Sequence, residues 1–80
     1  MQRAEVKQEL QSVFRKVFDD DAIEITDEMT AKDVAAWDSL NHINLVVAVE
    51  QRFKITMTTK EVTSMKNVGE FISLILQKLG

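Results

Sequence analysis

Apolar positions recur along much of this chain at helical spacing. Val6, Leu10, Val13, Phe14, Val17 and Phe18 are separated by steps of three and four. They predict an amphipathic helix over roughly 3–18, with Arg3, Lys7, Gln11 and Arg15 on the opposite side. The Asp19-Asp20-Asp21 run ends it, because Asp is a poor helix former and three like charges repel. Residues 19–37 then show no sustained period. Ile23, Ile25, Met29, Val34 and Trp37 read as anchors pinning a long loop to a core, and loops of that length are often functional. A second helix is expected from Asp38, a good N-cap, to about Phe53. Thr58 and Glu61 have capping-box spacing and announce a short third helix near 59–64. Asn67, with Glu70 three residues on, opens a fourth, whose stripe is Val68, Phe71, Ile72, Ile75, Leu76 and Leu79. The expected fold is all-α: a small four-helix bundle of three longer helices and one short one, with a long first connection.

The second helix carries more apolar surface than a bundle needs. At about 100° per residue, His42, Leu45, Val46, Val49 and Phe53 share one broad face. Leu40, Ile43 and Val47 fall on another, and Asn41, Asn44, Ala48, Gln51 and Arg52 fill the remainder. Two readings stay open at this point. Either the helix is buried on two sides, or the second stripe meets a partner, a ligand or the short third helix.

Composition narrows the chemistry. Eighty residues make one small domain, residues 1–80, with 45% apolar residues to build its core. Two glycines and no proline suit a helical chain. The absence of cysteine excludes disulfides and thiolate metal sites, and a single histidine makes a zinc enzyme improbable. A net charge of −3 argues against general nucleic-acid binding. No apolar run reaches the ~20 residues of a membrane span, and no signal-peptide core is visible, so a cytoplasmic location is expected; separately, the chain is expected to be a monomer. The charge is uneven: residues 19–38 hold eight acids against Lys32, and residues 39–80 hold three acids against five bases.

Three chemistries can be weighed at particular residues. Asp19 and Asp21 fit the first positions of a calcium loop, but Ile23, Glu24 and Thr30 fail the later ones, leaving a solvated acidic loop. Ser39 and His42 are three residues apart on a helix, as in a nucleophile–base pair. The chain offers little to orient the base or form an oxyanion hole, so His42 reads better as a core-edge residue. Ser39 itself lies in the first turn of a helix, where free N–H groups and the helix dipole favour an attached anion. A covalent phosphate ester there is physically sensible; the plain alternative is that Ser39 only helps cap the helix.

The run Trp37-Asp38-Ser39-Leu40, opening a helix after a long loop, resembles the acyl carrier protein family. The resemblance extends over the whole chain: an amphipathic first helix, the long loop, a Phe about fourteen residues after the serine (Phe53), a short third helix and an apolar fourth. It implies that Ser39 carries 4′-phosphopantetheine, donated from coenzyme A by a phosphopantetheinyl transferase, and that the chain is a carrier rather than an enzyme. It implies that Asp38 caps the helix and aids transferase recognition, and that Leu40 sits beside the arm. Leu40, Asn41, Ile43 and Val47 become expected partner contacts, and Met57, Val62 and Met65 an expected acyl-cavity wall. The sequence departs from the fatty-acid-synthesis pattern, in which the second helix is strongly acidic. Here Asn41, Asn44 and Gln51 stand in place of acids, a Trp precedes Asp-Ser, and Thr58 replaces a proline. These departures imply a specialised fatty-acid, polyketide or related pathway. An aminoacyl or D-alanyl carrier loaded by an adenylating ligase is the alternative, and an unmodified helical interaction module is the rival from outside the family.

Overall fold

The computed structural model describes residues 1–80 and is entirely helical. Helix α1 spans Arg3–Val17, α2 Ser39–Phe53, α3 Thr59–Ser64 and α4 Val68–Leu79. One 3-10 turn, Ala31–Asp33, interrupts the long α1–α2 connection. No helix is long and apolar enough to cross a membrane.

The expected stripes form the core. Val6, Leu10, Val13 and Phe14 of α1 meet Leu45, Val46, Val49 and Phe53 of α2 and Val68, Phe71, Ile72 and Ile75 of α4. Ile25 from the loop and Met57 from the α2–α3 connection complete the fourteen-residue cluster. Short helix α3 contributes no fully buried residue; Val62, and Met65 just beyond its end, only lean on the core. At its end α2 turns through Lys54, a non-glycine residue in the left-handed region (φ 56°, ψ 48°), whose N–H bonds back to Glu50.

The long loop is tied down from both sides. The polar side of α1 does part of this: Arg15 Nε donates to the Ile23 carbonyl (2.8 Å), and Ile25 N–H donates to Gln11 Oε1 (3.0 Å). At α4 the relation is reciprocal, since the first N–H groups of a helix lack intrahelical partners. Val68 and Gly69 N–H donate to the loop carbonyls of Met29 and Asp27, each at 2.9 Å. Gly69 suits that approach, because a Cβ there would stand 3.1 Å from the Asp27 carbonyl oxygen and crowd it. Arg3 bridges the same region, donating to Asp27 Oδ2 (2.9 Å), Ser73 Oγ (3.1 Å) and the Gly69 carbonyl (3.3 Å).

Of the five expected loop anchors, Ile25 is buried and Ile23, Met29 and Trp37 pack against the core; Val34 is half-exposed and outside that cluster. Val34 follows the 3-10 turn in extended conformation. The turn itself has a signal that the apolar pattern hides. Thr30 and Asp33 have capping-box spacing, and Thr30 N–H donates to Asp33 Oδ2 (2.9 Å).

Candidate functional site

The site is built at the start of α2. Asp38 is its N-cap, and Asp38 Oδ1 accepts the Asn41 N–H at 2.8 Å. The cap is thus supplied by Asp38, and Ser39 is left out of it: its side chain is exposed and makes no hydrogen bond. The backbone N–H groups of Ser39 and Leu40 also have no protein acceptor. An anion bonded to Ser39 Oγ therefore finds unpaired donors and the positive end of a fifteen-residue helix beside it.

Ser39 stands on the rim of a cleft of about 830 Å³. The wall between α2 and α3 is largely apolar: Ile43 and Val46 from α2, Met57 from the connection, Val62 and Met65 from around α3, and Phe71 behind them. The three residues expected around a cavity, Met57, Val62 and Met65, are thus brought together with Ser39. The second α2 stripe divides. Ile43 lines the cleft while 59% exposed; Leu40 and Val47, 69% and 46% exposed, face outward away from it. Asn41, also expected on the contact surface, is half-buried, and its amide donates to the Ala36 carbonyl (2.6 Å), so it braces the loop ahead of Asp38.

His42 is not paired with Ser39. Its Nδ1 accepts the Trp37 indole N–H (3.0 Å), and its Nε2 donates to the Val62 carbonyl (3.2 Å). The two partners fix the tautomer: the proton is on Nε2. Both ring nitrogens are committed, so no base faces the Ser39 hydroxyl. Trp37 is held from the other side, edge-on to Phe14 with ring centroids 5.1 Å apart. This Trp37–His42–Val62 chain joins loop, α2 and α3, and periodicity alone did not reveal it. The only sequence signal was a Trp and a His five residues apart, flanking the cap.

Carboxylates around α3 are occupied. Thr58 N–H and the Lys78 ammonium, each 2.9 Å from Glu61 Oε1, hold the Glu61 carboxyl below its usual range. Glu50 Oε2 accepts the Met57 N–H at 2.8 Å. Two acids of the first loop are occupied as well: Asp20 Oδ1 accepts the Ala22 N–H, and Asp27 pairs across to Arg3 and Lys7 of α1.

Residues 8–75 match the family model described as the phosphopantetheine attachment site. Among relatives, an acyl carrier protein of Helicobacter pylori strain J99 is 30% identical over 69 residues, 85% of this chain and 87% of that protein. One from an Exiguobacterium species is 28% identical over 99% of this chain and 100% of its own length. The solution structure of a holo acyl carrier protein from Geobacter metallireducens superposes with a TM-score of 0.88 at 44% identity, covering 92% of this chain and 85% of that one. A Thermotoga maritima acyl carrier protein shares the fold (TM-score 0.84, 23% identity, 99% and 92% covered). The group that goes with this family is covalent 4′-phosphopantetheine. The chain belongs to the acyl carrier protein family.

Proposed function

We propose that Ser39 is the attachment point of 4′-phosphopantetheine and that residues 1–80 form a single monomeric carrier domain. On this reading the chain works in the cytoplasm and performs no turnover itself. It moves an acyl group between partner enzymes of a specialised fatty-acid, polyketide or related pathway. The observation that carries the reading is the Ser39 hydroxyl: exposed, free of hydrogen bonds, in the first turn of α2 and on the rim of the cleft.

Each neighbouring residue has a physical part in this. Asp38 takes the capping role and so leaves Ser39 Oγ available. In loading, the Ser39 Oγ–phosphorus bond forms and the pyrophosphate bond of coenzyme A breaks. The adenosine bisphosphate half leaves, and the hydroxyl proton passes to the transferase. When attached, the arm supplies a thiol on which an acyl group is held, and this chain has no cysteine to compete with it. Leu40 and Val47 present apolar surface for partner enzymes, and Met57, Val62 and Met65 give the cargo a flexible apolar wall.

Intact-mass measurement tests the assignment directly. Incubation with coenzyme A and a broad-specificity phosphopantetheinyl transferase should add one phosphopantetheine to the wild-type chain and none to Ser39→Ala. No addition to the folded wild-type chain overturns the reading and favours an unmodified interaction module. Loading of the holo chain with fatty-acyl and amino-acid ligases in parallel then separates the acyl carrier from the aminoacyl or D-alanyl carrier.

A further inference from the structure

Helix α3 is the least secured wall of the cleft. It is six residues long and buries no residue fully. A helix this short leaves most of its carbonyls without intrahelical partners, so its placement depends on what accepts or donates at its ends. Its N-terminus is closed locally by the Thr58–Glu61 box. On its outer side Glu61 pairs with Lys78 of α4. Near its C-terminus the Ser64 hydroxyl donates to the Glu61 carbonyl (3.1 Å). The Val62 carbonyl is different. The N–H that would close the next turn onto it, that of Lys66, donates instead to Glu70 Oε1 (3.1 Å). Val62 O is taken by His42 Nε2 from across the cleft.

We infer that His42, oriented by the Trp37 indole, is a positioning residue: it caps α3 at the Val62 carbonyl and thereby holds the cleft wall against α2. Three features support it. Trp37, His42 and Val62 all line the cleft that Ser39 borders. The bond from His42 is the side-chain link between α2 and α3. Trp37 is locked by Phe14, so the imidazole is held by a rigid donor rather than by solvent. His42 thus governs how readily the wall containing Val62 and Met65 moves, and with it how well the cleft shelters what is bound at Ser39. The link to cargo rests on the phosphopantetheine reading; the capping of α3 does not.

The two ring nitrogens can be tested separately. In His42→Gln the amide N–H₂ lies near the Nε2 position and keeps the bond to Val62. In His42→Asn the amide oxygen lies near Nδ1 and keeps the indole partner but loses Val62. Amide hydrogen exchange on the unmodified chain should show α3 amides exchanging roughly three- to tenfold faster in His42→Asn, as expected for one lost hydrogen bond, with α1 and α4 unchanged. His42→Gln should return α3 to within about twofold of wild type. Equal acceleration in all helices would mean general destabilisation and would overturn the inference, as would unchanged exchange in His42→Asn. On the holo chain loaded with an octanoyl group, His42→Asn should speed attack by hydroxylamine, and His42→Gln should restore protection. Unchanged attack despite faster α3 exchange overturns the control of the cleft. Failure of the serine to accept the arm overturns the carrier reading and leaves the exchange result standing.

Discussion

Leu45 and Leu40 lie on one helix and differ in what they touch, so a matched pair of truncations measures the two faces of α2. Leu45 is fully buried in the core cluster; Leu40 is 69% exposed beside Ser39. Leu45→Ala removes buried methyl groups and leaves a cavity that the helices close only in part, at a cost of about 2–5 kcal/mol. A chain of this length has about 4–12 kcal/mol of total stability at typical per-residue values, so the variant loses roughly a sixth of it at the least. Leu40→Ala removes surface that water already covers, and its effect on stability should stay within about 0.5 kcal/mol. Leu and Ala have similar helix propensity, so the comparison reports packing. Urea unfolding followed by Trp37 fluorescence gives both values.

Function should divide the opposite way. If Leu40 meets the transferase, losing an apolar contact worth about 1.4 kcal/mol lowers kcat/KM for loading roughly tenfold. Folded Leu45→Ala, below its denaturation midpoint, should load at nearly the wild-type rate. The reasoning fails if Leu40→Ala destabilises the fold by more than about 1 kcal/mol, or if it loads as well as wild type.

Two further predictions rest on backbone strain and on charge. Lys54→Gly should raise stability by about 0.5–1 kcal/mol, because glycine takes the left-handed conformation at the α2 C-cap without the Cβ penalty; thermal unfolding in circular dichroism checks it. The Arg3 guanidinium beside Asp27 holds its carboxyl below the usual range, so the stabilisation is complete at neutral pH and is lost as pH falls below about 4. Arg3→Gln should flatten that acid loss in urea titrations between neutral and pH 3, and an unchanged slope would dismiss the pair's contribution.

The helices were legible in the sequence because each signal was local. Steps of three and four located α1 and α4, and Asp38, Thr58 and Asn67 each cap the helix expected of them. The wheel of α2 separated Leu45, Val46, Val49 and Phe53 from Leu40, Ile43 and Val47 along the boundary that burial follows. What stayed hidden depends on contacts between distant segments. Periodicity places Arg15 and Gln11 opposite the apolar stripe; only the folded loop shows that they hold Ile23 and Ile25. His42 was placed at the core edge, but its bond to Val62, twenty residues on, needs the chain to bring α3 back across α2. Asn41 looked like polar surface, and its use in bracing Ala36 follows from the path of the chain ahead of Asp38. The outward turn of Leu40 and Val47 against the inward position of Ile43 was likewise invisible until α3 supplied the second wall.

Charge gives a last expectation about how partners find this carrier. Residues 38–66 contain three acids (Asp38, Glu50, Glu61) and four bases (Arg52, Lys54, Lys60, Lys66), a net of +1; the rest of the chain, with ten acids and six bases, totals −4. Over residues 38–66, therefore, acids and bases nearly cancel, and that segment offers little net charge to steer a basic enzyme surface. Long-range steering accelerates association only when potentials are large and complementary, and it fades as salt shortens the screening length from about 30 Å at 0.01 M to about 8 Å at 0.15 M. Loading by a transferase should thus change less than about threefold in kcat/KM across that range. A tenfold or steeper fall would show that the acidic loop reaches the partner. Asp19→Asn, Asp20→Asn and Asp21→Asn combined would then identify it by abolishing the salt dependence. With a flat salt profile, apolar contact through Leu40, Ile43 and Val47 is left to select the partner, and Ile43, the member of the stripe that also lines the cleft, is the point where docking and cargo meet.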